Sequence, residues 1–293
     1  MTSSWMLVAG ALFATMGVFA KYLAEQFTGA ELSFYRSLIG LIAVGVFVVW
    51  GRRSIRTPFL RGHFWRGLMG TISLVAYFYA LTQLPLATAI ALNYTSPLWL
   101  TILSTIFLKE RFSPKLLGAI ALGFIGAAMV LRPTLDSDHA VAGWIGLASG
   151  FFAAGAYVNV KMLGDAGEPE WRVVLYFCAM GTIGSALAQS VLVGSFHPVH
   201  WQNVGPLVGV GFAATLAQLA MTRAYHSGNT LVAGAFAYST VVYTAIAGMV
   251  FFGEFLPVIS WVGIAIIVVS GILAKRFATK AERNGPSLPA EED

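Results

Sequence analysis

Inside a long apolar run that also holds Tyr94, the groups Asn93, Ser96-Pro97, Thr101 and Thr105 recur at spacings of three to four residues. On a helix that period draws most of them into one polar stripe, which prefers a bundle interior or a wet cavity to lipid. Related groups punctuate other apolar runs: Tyr77 and Tyr79, then Tyr157, then Thr215, Gln218 and Thr222, and last Tyr238, Ser239, Tyr243 and Thr244. Hydroxyls, amides and ring faces are binding chemistry. Together they suit a neutral or zwitterionic small molecule with an apolar side chain, whose ammonium group a ring face would attract. The candidate substrate-binding residues are therefore Tyr77, Tyr79, Asn93, Tyr94, Ser96, Tyr157, Gln218, Tyr238, Ser239 and Tyr243. For each taken singly, interhelical hydrogen bonding is the competing use. Lys21 and Arg36 are candidates for contact with a substrate carboxylate, against the plainer alternative of snorkelling to lipid headgroups.

Catalytic patterns are missing. The sequence has no HExxH, no GxSxG, no P-loop and no pair of carboxylates within an apolar run, which counts against an intramembrane enzyme or lipid-handling protein. No metal or organic cofactor is expected. All 13 acidic residues and all five histidines fall at helix ends, in loops or in the tail, so no buried proton relay is expected. Glu110 and Glu254 each close an apolar run just before the next begins, where negative charge favours the following helix N-terminus; a coupling role is the alternative. Cys178 lies alone in an apolar run and reads as a small buried hydrophobe.

The elements that must carry these residues follow from composition. Of 293 residues, 57% are hydrophobic and 11% charged, against about 25% charged in an ordinary soluble domain. The apolar residues come in runs of about 20, the length that crosses roughly 30 Å of hydrocarbon as a helix. They do not alternate, which excludes transmembrane strands. Ten spans are expected, near residues 4–22, 31–50, 64–81, 87–108, 114–131, 141–162, 169–192, 205–225, 231–252 and 257–274. Residues 277–293, with their Gly, Ser, Pro and acids, read as a disordered cytoplasmic tail.

Basic residues fix an expected orientation, because Lys and Arg gather on the cytoplasmic side. With the N-terminus inside, the inner side receives Arg52, Arg53, Arg56, Arg61, Arg66, Lys109, Arg111, Lys115, Lys161, Arg172, Arg223, Lys275, Arg276, Lys280 and Arg283. The outer side receives Lys21, Arg36 and Arg132, which completes the 18 basic residues. The net charge of +5 thus reports membrane orientation rather than nucleic acid, and both termini are expected in the cytoplasm.

Laid on itself with an offset of 144, the chain matches Ala80, Tyr94 and Glu110 to Ala224, Tyr238 and Glu254, and Thr95-Ser96 to Ser239-Thr240. At an offset of 145, Gly118 and Gly126 fall on Gly263 and Gly271. Each half then holds five helices, and an odd number makes the second copy enter the membrane from the opposite side. The fold class expected is all-α integral membrane, with ten transmembrane helices as two inverted-topology five-helix repeats. The first repeat would occupy residues 1–140 and the second 141–276.

The repeated pattern resembles the drug/metabolite transporter superfamily, in its EamA type. The first copy carries Tyr79-Ala80, Leu84-Pro85-Leu86, Ser96-Pro97-Leu98, Leu108-Lys109-Glu110-Arg111, Gly118 and Gly126. The second carries Ala224-Tyr225, Tyr238, Gly253-Glu254, Gly263 and Gly271, with Val241 where the first has Pro97. Gly17 and Arg36 also match family positions. The resemblance implies a bacterial inner-membrane, multi-pass exporter of small metabolites working by alternating access. The overall look is similar to aromatic amino acid exporters, which implies aromatic or other apolar amino acids as cargo. A broad drug or sugar-phosphate type permease is the alternative. The expected partners are a small-molecule substrate and membrane lipid, with no nucleic acid, and the chain acting as a monomer.

Overall fold

The computed structural model describes residues 4–108, 114–135, 139–227, 233, 236–237 and 239–283. Tyr238 and Glu110 lie outside the described residues, as do the side chains of Thr101 and Thr105. Among the described residues there are helices and no strand: α1 (Trp5–Leu23), α2 (Gly29–Trp50), α3 (Leu60–Gln83), α4 (Leu86–Asn93), α5 (Ser96–Leu108), α6 (Pro114–Leu135), α7 (Ala140–Asp165), α8 (Glu170–Leu192), α9 (Trp201–Ser227), α10 (Ser239–Phe252) and α11 (Val258–Arg283). α1, α2, α7, α8 and α9 are each long and apolar enough to cross a bilayer unaided. α4 and α5 are two halves of one pass, and the whole is a ten-helix integral membrane fold.

Local chemistry sets the breaks. Thr28 and Glu31 form a capping box at the start of α2, with Thr28 N donating to Glu31 Oε2 at 2.8 Å and Glu31 N to Thr28 Oγ1 at 3.2 Å. Pro85 and Pro169 stand just before α4 and α8, where a missing N–H costs nothing. Between α4 and α5 the chain turns at Tyr94-Thr95, and Pro97 follows in the first turn of α5, a position proline tolerates.

Two expected boundaries move. α9 begins at Trp201 and so carries Pro206 inside it. α11 continues through Arg283, so the helix runs into residues 277–283 of the expected tail, whose remainder, 284–293, lies outside the described residues. The apolar span ends near residue 274, but Ala278, Lys280, Ala281, Glu282 and Arg283 are strong helix formers and propagate the helix into water.

The packing carries the repeat. The most extensive contacts pair α3 with α7, α6 with α11, α1 with α9, and α2 with α8. Exchanging each pass for the one five passes away turns α3·α7 into α9·α1 and returns α6·α11 and α2·α8 to themselves. The pairs α2·α9 and α3·α8 interchange in the same way. This is the contact pattern of two inverted repeats packed about a common axis. On that axis the fifth passes cross closely, since a Cβ on Gly126 would lie 2.8 Å from the carbonyl oxygen of Gly263.

Candidate substrate cavity

The helices of both repeats converge on a cavity of about 80 Å³. It takes Phe13 and Met16 from α1, Arg36 from α2, and Arg66, Ser73 and Tyr77 from α3. Asn93 and Tyr94 enter at the α4–α5 break, Tyr157 from α7, Phe177 from α8, Gln218 and Met221 from α9, and Thr240 from α10. The discontinuous pass is what admits Asn93 and Tyr94. Irregular backbone at membrane depth is tolerated where it lines a cavity or is covered by protein. Here Gly150 of α7 covers it, and a Cβ on Gly150 would lie 2.5 Å from Thr95 Oγ1 and 2.9 Å from the Asn93 carbonyl oxygen.

Six of the sequence candidates meet here: Arg36, Tyr77, Asn93, Tyr94, Tyr157 and Gln218. Ser96 is buried beside the Tyr157 phenol. Asn93 has its amide nitrogen committed to Ser149 Oγ at 2.8 Å. Four others are placed elsewhere. Tyr79 faces a separate recess with Thr82 and Gln83, and Tyr243 is exposed on α10. Ser239 donates to the Phe236 carbonyl at 2.7 Å and abuts Gly10 of α1. Lys21 donates to the Leu84 carbonyl at 2.6 Å and pairs with Glu254 at 3.4 Å, so it ties helix ends together outside the cavity. Tyr238 lies outside the described residues.

The charge inside the cavity departs from the sequence reading, which suited the polar groups to a neutral or zwitterionic molecule and counted Arg66 among the inner-side anchors. Arg66 is 2% exposed and Arg36 is 5% exposed. The guanidinium carbon of Arg66 lies 4.0 Å from the centre of the Phe177 ring and that of Arg36 lies 5.4 Å from it. Arg36 Nη2 also donates to Gln218 Oε1 at 3.3 Å. The other ionisable groups acting on the two arginines are Tyr77, Tyr157 and Cys178, and no carboxylate is among them in the described residues. The sequence did carry a signal for Arg66. Arg66, Gly70, Ser73 and Tyr77 recur at spacings of four, three and four, the period of one helix face. Gly70 leaves the room into which the Arg66 guanidinium folds.

Networks tie the helix ends together at both ends of the bundle. At the end bearing the 51–59 segment, Glu168 accepts from Thr57 Oγ1 at 2.5 Å and from Arg172 Nη1 at 3.1 Å, and lies 3.3 Å from His63 Nε2. Burial alone would raise the Glu168 pKa, but the hydrogen bonds from Thr57, Arg172 and His63 hold it below the usual carboxylate range, so the hub stays charged at neutral pH. At the other end, Glu31 accepts from the backbone N–H of His197 at 2.5 Å, and Thr28 donates to Gln189 at 2.6 Å. Glu254 corrects another expectation: its Oε2 accepts from Leu86 N at 2.7 Å, so it caps α4 of the opposite repeat rather than the helix that follows it.

The EamA-like transporter family profile matches residues 1–132 and again residues 141–275. The chain belongs to the EamA-like transporter family. It is similar to the pseudopaline exporter of Pseudomonas aeruginosa, 29% identical over 271 residues covering 92% of this chain and 94% of the relative. It is 30% identical to a riboflavin transporter of Vibrio cholerae over 285 residues, 95% and 94% of the two chains. It is 25% identical to the S-adenosylmethionine uptake transporter of Rickettsia prowazekii, over 94% and 92%. A crystal structure with 21% identity superimposes with a TM-score of 0.69 over 94% of this chain and 98% of that one, which shows the shared fold. An EamA-like chain with these relatives is a multi-pass membrane transporter of small metabolites and not an enzyme.

Proposed function

We propose that this transporter exports small carboxylate-bearing metabolites across a bacterial inner membrane by alternating access, with aromatic and other apolar amino acids among the cargo. The observation that carries the reading is Arg36, held at the centre by Gln218 and Phe177 with no acid beside it among the described residues. A guanidinium fork matches a carboxylate, and the rings of Tyr77, Tyr94, Tyr157 and Phe177 offer faces to an apolar or aromatic body. Alternating access from such a cavity requires the helices to separate on one side at a time. The end networks around Glu168 and Glu31 are the contacts such a separation would break alternately.

The test is counterflow in proteoliposomes with radiolabelled phenylalanine and with a cationic drug. Phenylalanine is expected to exchange and the drug not; exchange of the drug alone would replace this reading with that of a broad drug permease.

For orientation we propose that both termini are cytoplasmic. Arg52, Arg53, Arg56 and Arg61 crowd the segment before α3, whereas residues 193–204 contain no Lys or Arg. Fusion reporters are expected to place residues 52–63 in the cytoplasm and 193–204 outside, and the reverse labelling would invert the orientation.

A further inference from the structure

We propose that the cavity grips its cargo at two anionic points, Arg36 and Arg66, so that the preferred substrates are organic dianions with two carboxylates on a short apolar or aromatic body. This rests on the transport reading above and narrows it. The argument is an inventory of hydrogen-bonding groups. Among the described residues Arg36 Nε, Arg66 Nε and Gln218 Nε2 are buried without a partner, and all three side chains line the same cavity. All three atoms can only donate. Arg66 makes no hydrogen bond among the described residues and is held by the Phe177 ring. A buried donor left unmade is costly, and a buried charge without a counter-charge more so.

Two like charges facing one ring also repel, which a purely structural pair would avoid. A ligand rich in acceptors and negative charge removes all of these costs together. Arginine does so with particular strength, because its fork takes a carboxylate through two parallel hydrogen bonds. Since neither guanidinium carbon is farther than 5.4 Å from the centre of the Phe177 ring, the two carboxylates need only a short linker. An ordinary amino acid supplies one carboxylate and an ammonium group, and so satisfies one arginine while adding a third positive charge.

The test uses two probes that share a phenyl ring: phenylsuccinate, with two carboxylates, and 3-phenylpropionate, with one. Binding to the purified full-length protein is measured by calorimetry. Phenylsuccinate is expected to bind about ten- to a hundredfold more tightly, the value of one further charge-assisted pair. Arg66→Gln and Arg36→Gln should each bring that ratio close to one, whereas Arg61→Gln, on an exposed position of the same helix, should leave it unchanged. Equal affinity of the two probes for the unaltered protein overturns the proposal without any variant having to fold, and so does a ratio that survives Arg66→Gln. If phenylalanine exchanges in proteoliposomes while phenylsuccinate neither binds nor exchanges, the two-point grip fails and the transport reading stands. If phenylsuccinate binds with the expected ratio but no probe crosses the membrane, the transport reading fails and the grip stands.

Discussion

Replacing Arg36 by alanine is expected to weaken the apparent affinity for a transported carboxylate by about ten- to 150-fold, the cost of a hydrogen bond to a charged group, while thermal stability in detergent holds or rises. The two readouts move in opposite directions for a physical reason. Arg36 is a buried cation with no carboxylate beside it among the described residues, so removing it relieves desolvation and leaves Gln218 without its partner. A residue retained for packing behaves otherwise, since truncating it opens a void and lowers the melting temperature. Counterflow and thermal unfolding of the same preparation decide the matter. A large fall in melting temperature with unchanged affinity would make Arg36 a structural residue. Arg36→Lys, which keeps the charge but loses the fork, should fall between the two.

The second large effect is expected at Gly150, where valine should cost on the order of 1–3 kcal/mol or more and collapse the yield of monodisperse protein. A Cβ there would meet Thr95 Oγ1 at 2.5 Å, the Asn93 carbonyl oxygen at 2.9 Å and the Leu92 carbonyl oxygen at 3.0 Å. Two of the three are backbone and belong to the break between α4 and α5, so they cannot swing aside as a side-chain tip would. Gly155 is the control. It lies on the same helix, but its nearest neighbours are atoms of the flexible Met69 side chain at 3.6 Å, so Gly155→Ala should be silent. Size-exclusion profiles of the two variants test the pair. An intact Gly150→Val profile would mean that α7 can draw back from the break.

Much of the candidate site was legible as a list of residues and much less as a place. The polar groups of helices α3, α4, α7 and α9 led to Tyr77, Asn93, Tyr94, Tyr157 and Gln218, because polar side chains in apolar runs seek the interior of a bundle. The same rule took in Tyr79 and Tyr243, which face away from the cavity. A phenol near a helix end meets its needs without entering a cavity, so residue type alone could not separate the two cases. Arg66 was misplaced for the converse reason, since an arginine near the end of a span reads as an anchor unless the face it shares with Gly70, Ser73 and Tyr77 is traced.

What the sequence by itself determined is what depends on distance along the chain. The length of apolar runs, the alternation of basic loops and the offset of 144 between repeats give the passes and their doubling, because a bilayer imposes one length and a helix one rise per residue. Only the tertiary structure decided the rotation of each helix about its own axis. Arg61 and Arg66 are five residues apart, about 140° around a helix of 3.6 residues per turn, and packing against α7 and α8 leaves Arg61 exposed while sealing Arg66 against Phe177. That rotation turns a loop-side charge into a cavity charge, and it rests on close contacts, such as Gly67 against Met180 and Gly70 against Phe177, between residues far apart in sequence.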